Sequence, residues 1–399
     1  MELDDDWTGS VELKIALDHP QGVFYPGNQV AGKVLVSWNE PKIFLGLRVK
    51  CEGTGLVFFT DRSAGFRRKF SNDESYLARE VYLIGDGESP VSTEGGQNEF
   101  PFSIDLPEEI PGSFEGRYGR VRYSVSAFLD LTNVVRITSS LPFTVVPVLD
   151  LNQDSLATLP ISEDNSKVVV GQTEPLNMLV TLPVRGFVPG QTIPVKIVLN
   201  NVSNVEIRKL RVVFKKVITY HTHRKSRRHK EIIVEIELPV TKSCQVYETG
   251  VDVPAVPPTG LKFCSIIDVW YTLKVEACVE VNEWYLRMLQ KNLKTRMRIV
   301  VGTIPLRHYE TPEEELPGEG TGRQTEVGNI GEKPKTDDFA ENPSLYEESK
   351  IYPSSKPNRD DPPGDEEAEN GSGNTYAPLY RVYTFNKSKR NNHSSKSNH

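Results

Sequence analysis

Catalysis needs reactive side chains gathered at one place, and this chain gathers few of them. Its four cysteines, Cys51, Cys244, Cys264 and Cys278, are scattered without a CxxC pair. That spacing suits neither a structural zinc site nor a disulfide framework, so they read as reduced, mostly buried thiols. There is no GxSxG elbow, no phosphate-binding GxxxxGK[ST] loop, no HExxH and no dinucleotide-binding glycine pattern. Carboxylate pairs such as Glu108–Glu109 read as solvated loop charges. The expectation is no catalytic residue, no metal and no cofactor, hence not an enzyme.

The most concentrated charge lies in His221-Thr222-His223-Arg224-Lys225-Ser226-Arg227-Arg228-His229-Lys230. Three readings are open. The segment can be a solvated hairpin tip that keeps a sheet edge soluble. Arg224, Lys225, Arg227, Arg228 and Lys230 can instead contact anionic lipid, each basic group contributing about 1 kcal/mol near such a surface. The same side chains also suit phosphate on a partner, where arginine binds bidentately. No cysteine or carboxylate completes a metal shell around His221 and His223. The formal net charge of −7 argues against nucleic acid as a general partner.

The elements that must carry these residues are strands. The 399 residues suggest two or three domains at about 100–200 residues each. Val11–Leu17, Val30–Val36 and Ile232–Leu238 alternate apolar with other residues, the pattern of half-buried strands. Turn signals recur between such runs, among them Pro26-Gly27, Asp86-Gly87, Pro111-Gly112, Pro189-Gly190 and Pro257-Pro258-Thr259-Gly260. Helical periodicity is nearly absent, Tyr285–Gln290 being the clearest short candidate.

The chain also repeats itself. Tyr25-Pro26-Gly27-Asn28-Gln29-Val30 matches Val188-Pro189-Gly190-Gln191-Thr192-Ile193, and Leu47-Arg48-Val49 matches Leu210-Arg211-Val212 at the same offset. Tyr123-Ser124-Val125 and Tyr271-Thr272-Leu273 continue the series. Two copies of one sandwich explain three matches in one order. The predicted organisation is all-β: a first β-sandwich over 8–148, a linker over 149–166, a second sandwich over 167–307 and an acidic tail over 308–399. The tail, rich in Glu, Pro, Gly and Ser, is expected to be disordered.

Four segments resemble the α-arrestins, the arrestin domain-containing proteins. Phe24–Val34 is similar to an early strand of their N-terminal domain. Gly112-Ser113-Phe114-Glu115-Gly116-Arg117-Tyr118-Gly119-Arg120-Val121-Arg122-Tyr123 resembles their SFEGxxGxVRY segment. Gly186–Val195 and Pro257–Tyr271 resemble the start and the late PPT…CxIIxVxY stretch of the C-terminal domain. The resemblance covers roughly residues 8–307. It implies tandem immunoglobulin-like (arrestin N and C) sandwiches. It further implies an adaptor that binds membrane receptors or transporters and recruits HECT-type ubiquitin ligases through PPxY motifs read by WW domains.

The tail departs from that pattern. Pro378 and Tyr380 keep the second half of a PPxY motif, but Ala377 stands where the first proline belongs. Pro343 and Tyr346 make a weaker proximal version. A WW domain grips such a segment because polyproline II is preformed and costs little entropy on docking. Tyr376-Ala377-Pro378-Leu379 also fits the YxxΦ signal of clathrin adaptors, and Thr375–Phe385 resembles the terminal PxYxVYxF segment of α-arrestin tails. With no signal peptide and no run of about 18 apolar residues to span a bilayer, the chain is expected in the cytoplasm, recruited peripherally to plasma membrane or endosomes.

Overall fold

The computed structural model describes residues 11–39, 41–63, 66–131, 136–169, 171–202, 205–241, 245–280, 292–307, 309, 346–349 and 376–385. Alternation sets the strands. Along β1 (Val11–Leu17) half-buried and exposed side chains alternate at every residue, as the period of two demands. The first unit continues through β2 (Val23–Phe24), β3 (Gln29–Trp38), β4 (Lys42–Phe44), β5 (Gly46–Ser63), β6 (Phe66–Gly85) and β7 (Val91–Thr93). It closes with β8 (Gly96–Asp105), β9 (Phe114–Gly116), β10 (Gly119–Asp130) and β11 (Arg136–Val145). The second unit holds β12 (Ile161–Val168), β13 (Pro175–Leu182), β14 (Gly186–Phe187), β15 (Thr192–Asn201) and β16 (Ile207–His221). It ends with β17 (Ser226–Pro239), β18 (Val246–Asp252), β19 (Ile267–Val279) and β20 (Leu293–Val301).

Each unit has two main sheets facing across an apolar core, and the first adds the small β4-β7 pair. The first pairs β1-β3-β8 against β2-β11-β10-β5-β6, and the second pairs β12-β13-β15-β18 against β14-β20-β19-β16-β17. The larger sheets have the same order, and both begin with a two-residue strand laid parallel on the last strand of the unit: β2 on β11 and β14 on β20. The internal repeat read from the sequence is therefore a repeat of topology. Each short strand leads into a Pro-Gly turn whose glycine has a positive φ, +82° at Gly27 and +94° at Gly190, a conformation that glycine alone adopts without steric cost.

The tyrosines of the repeat have equivalent roles. The Tyr123 hydroxyl donates to the Pro111 carbonyl at 2.6 Å, and Tyr271 donates to Pro257 at 2.5 Å. Both rings are buried, Tyr123 against Phe143 and Tyr271 against Phe214.

Two expectations are modified. The segment 149–166 is not all connection: β12 begins at Ile161 and pairs with β13 through its whole length. Its Ser-Glu-Asp-Asn run looks like loop because this edge strand exposes most of its side chains. Before it, Leu151 and Ala157 are fully buried against Gly302 and Gly186. The tail is also not uniformly unstructured. Tyr346–Glu348 (β21) and Leu379–Arg381 (β22) pair antiparallel and lie on the folded body, because their aromatic side chains find apolar and carbonyl partners there. The helix candidate Tyr285–Gln290 lies outside the described residues. Among the described residues Cys51, Cys264 and Cys278 are free thiols, with Cys51 buried.

The paired tether predicts a paired defect. Tyr123→Phe and Tyr271→Phe should each lower stability by about 1–3 kcal/mol, the cost of leaving a buried carbonyl without its donor. Urea unfolding with domain-resolved fluorescence measures this, and a change below 0.3 kcal/mol (about the error of such comparisons) at either site would contradict the role.

Candidate functional site

The segment Pro111–Tyr123 organises the contact between the two sandwiches. Ser113 is fixed to the end of β11 twice, its N–H donating to the Val145 carbonyl and its hydroxyl accepting from the Val145 N–H at 2.9 Å. Glu115 accepts a bidentate pair from Arg122 across the β9–β10 hairpin. That pairing lowers a carboxyl that burial alone raises, burial being the larger effect. Gly116 is glycine because a Cβ there would overlap the Tyr220 hydroxyl of the second unit. Tyr118 meets the edges of Tyr220 and His229 at centroid distances of 5.6 and 5.5 Å.

The charge facing this hairpin comes from the basic segment. Its turn is confined to residues 222–225, and the rest is strand: Tyr220 pairs with Arg227, Ile218 with His229 and Val217 with Lys230. Side chains therefore leave on alternate faces. On the inner face Arg227 donates to the Thr60 carbonyl at 2.8 Å and stacks 4.3 Å from the Tyr118 ring centroid. Lys225 forms an ion pair with Asp61 and sits 5.8 Å from the Phe70 ring. Lys216 and Glu231, 2% and 1% exposed, form an ion pair at 2.9 Å with the ammonium near the Phe114 ring. Both Lys225 and Arg227 thus touch the first unit, Lys225 remaining exposed and Arg227 half-buried. Arg224, Arg228 and Lys230 are exposed.

Elsewhere between the units Tyr76 donates to Glu74 at 2.6 Å and its hydroxyl lies 3.1 Å from the Cys264 sulfur, while Ser265 binds the same Glu74 carboxylate. Burial raises the Cys264 thiol, which suits a structural thiol rather than a nucleophile.

The tail crosses the seam. The Tyr380 hydroxyl donates to the Ser113 carbonyl at 2.8 Å, and the side chain is 2% exposed. Tyr376 donates to the Phe143 carbonyl at 2.9 Å and shares the Thr144 hydroxyl with the Leu379 N–H. Tyr383 reaches the second unit: its N–H donates to the Pro189 carbonyl at 3.0 Å and its hydroxyl to Thr303 at 2.6 Å. Tyr346 packs on Val23 and Val146, with its hydroxyl 2.5 Å from that of Tyr25. Burial raises the phenols of Tyr376, Tyr380 and Tyr383, keeping them neutral donors. Pro378 is buried as well. The structure thus pairs the tyrosine end of the proximal motif with the distal one, β21 with β22, and encloses Tyr346, Pro378 and Tyr380. Tyr376 and Leu379 of the YxxΦ pattern are engaged there too. Pro343 lies outside the described residues.

Two duplicated sandwiches and a signature hairpin at their junction have clear counterparts among known proteins. Residues 13–152 match the arrestin (or S-antigen) N-terminal domain and residues 172–306 the arrestin C-terminal domain. The chain belongs to the α-arrestin family. It is similar to arrestin domain-containing protein 17 of Caenorhabditis elegans, 27% identical over 313 residues, covering 73% of this chain and 70% of that protein. It is also similar to mouse arrestin domain-containing protein 4, 27% identical over 303 residues (72% and 70% covered). Human arrestin domain-containing protein 1 is 27% identical over 285 residues (67% and 61% covered). As an arrestin-family protein the chain is a scaffold or adaptor, from a family of non-enzymatic proteins that bind receptors or other cargo.

The outer face of the second sandwich of this α-arrestin is basic. Arg228 and Arg298 flank the Trp270 ring at 5.7 and 4.9 Å. Lys215, Lys274 and Arg296 follow on neighbouring strands by register. Burial lowers the Lys215 ammonium, with Lys274, Arg211 and Lys230 adding like-charge repulsion. Beside this patch burial would raise the Glu276 carboxyl, yet hydrogen bonds from Lys274, Asn292 and Lys294 bring it down to about 2. Sequence reading missed this face because its residues lie on four strands. It also missed Ser113, Thr303 and Tyr383 as docking partners; the dense spacing of Tyr376, Tyr380 and Tyr383 was the visible signal.

A folded-state pKa below the ordinary 4.5 means Glu276 contributes stability above that value and loses it as pH falls towards 2. Glu276→Gln should flatten the acid limb of a stability profile between pH 4.5 and 2, measured by urea midpoints. An unchanged acid limb would contradict the assignment.

Proposed function

We propose that this α-arrestin is a cytoplasmic adaptor that binds membrane receptors or transporters through its sandwiches. It directs their endocytosis or endosomal sorting by recruiting a HECT-type ubiquitin ligase through the tail. The observation that supports this most is the combination, in one chain, of tandem arrestin domains with a tail that keeps Pro378 and Tyr380 of a WW-binding motif. On this reading the protein is recruited peripherally to plasma membrane or endosomes, and Tyr376–Leu379 is a secondary signal for a clathrin adaptor. Contact with anionic lipid is assigned to the exposed Arg224 and Lys225 of the turn together with Arg228 and Lys230, which Arg298 joins on the outer face around Trp270.

A second reading is an arrestin-fold scaffold or competitor that holds cargo without a ligase. It is favoured by Ala377 in place of the first proline and by the burial of Tyr380.

Cells expressing the full chain or a chain ending at Arg307 separate the two. Proximity labelling should capture the same membrane proteins with both chains, and ubiquitination of those proteins should fall with the shorter one. Equal ubiquitination would reject ligase recruitment and leave the scaffold. In the same comparison, replacing Arg228, Lys230 and Arg298 by serine should reduce pelleting on phosphoinositide vesicles; unchanged pelleting would remove the lipid contact.

A further inference from the structure

A WW domain needs the proline ring in an aromatic groove and the tyrosine in a second pocket. Neither is presented here. Pro378 is buried, and the Tyr380 ring is buried too, with its hydroxyl committed to the Ser113 carbonyl of the first sandwich. The flanking residues hold that placement from both domains. Tyr376 is bound to Phe143 and Thr144 in the first, and Tyr383 is bound to Pro189 and Thr303 in the second. Pairing with Tyr346–Glu348 covers the backbone edge of the motif. The same tyrosine cannot fill the Ser113 site and a WW pocket at once.

We propose that residues 376–385 form a clasp across the two domains that withholds the distal motif, so that a WW domain reads Pro378 and Tyr380 only in molecules whose tail has left the seam. This rests on the ligase-recruitment reading for the identity of the partner, while the clasp itself rests on the contacts above. Closure is opposed by the chain entropy of ordering ten residues, which keeps it reversible. Because the partners of Tyr376 and Tyr380 lie on one sandwich and those of Tyr383 on the other, closure depends on the relative placement of the domains. Any cargo that shifts that placement then raises the open fraction and, with it, access to the tail.

Two changes open the clasp without touching Pro378 or Tyr380. Tyr383→Ala removes the ring and the hydroxyl bond to Thr303, leaving only the backbone bond to Pro189 on the second domain. Gly190→Ala acts from the body side, since a Cβ there would overlap the Tyr383 carbonyl oxygen; circular dichroism checks that the strained turn still folds. An isolated WW domain from a HECT-type ligase is titrated against a peptide of residues 372–387, the full chain and both full-length variants. Hydrogen exchange of residues 376–383 is followed in parallel. Apparent affinity scales with the open fraction, so the full chain should bind at least about tenfold more weakly than the peptide. Tyr383→Ala should recover most of that loss, with exchange in 376–383 rising together with it. Equal affinity of peptide and full chain, or exchange in 376–383 as fast as in the free peptide, would overturn the clasp and leave the recruitment reading standing. A peptide without saturable binding would reject the recruitment reading, and protection of 376–383 that Tyr383→Ala fails to remove would reject the clasp.

Discussion

A carbonyl buried outside a strand ladder must find a donor or destabilise the fold, and in this protein the donor is repeatedly a tyrosine hydroxyl. Tyr123 serves Pro111, Tyr271 serves Pro257, Tyr380 serves Ser113 and Tyr383 serves Thr303. The first two close each sandwich from within. The last two come from the tail and tie it to both domains with the same interaction. A phenol is suited to the task because its ring fills apolar space while its hydroxyl reaches one polar atom, and burial keeps it protonated.

The domain seam uses a second kind of constraint, charge placed where the partner domain supplies the acceptor. Lys225 and Arg227 reach Asp61 and the Thr60 carbonyl, and the hairpin of the first domain offers Tyr118 to the guanidinium. The buried Lys216–Glu231 pair stands behind that contact. Removing one member of such a pair is far more costly than replacing both, so the pair favours one arrangement of these strands. The segment Pro111–Tyr123 supplies carbonyls to Tyr123 and Tyr380, rings to Arg227 and Lys216 and a close glycine approach to Tyr220.

Much of this was legible in the sequence. Alternation marked strands such as Val11–Leu17, and the Pro-Gly turns with the Tyr123 and Tyr271 matches announced a duplicated sandwich, because period and turn chemistry are local properties. What stayed hidden was long-range. Nothing near Lys225 or Arg227 reveals that Asp61 and Thr60, more than 160 residues earlier, will receive them, so the segment looked like a free basic tip. The strand parity that sends Arg227 inward and Arg228 outward could have been counted once the turn was confined to 222–225. The described tail segments stayed hidden for a related reason: three tyrosines within eight residues gave no hint of which carbonyls they would serve. The outer basic face needs the register of four strands before it exists as a face at all.

Residues 346–349 and 376–385 of the tail are part of the folded body through their tyrosines. The most direct measurement is thermal unfolding of the full chain against a chain ending at Arg307. Each kcal/mol contributed by the tail should move the midpoint by about 2–4 °C, so the shorter chain should unfold earlier, and Tyr380→Phe in the full chain should reproduce part of that drop. Coincident midpoints for all three would contradict the account.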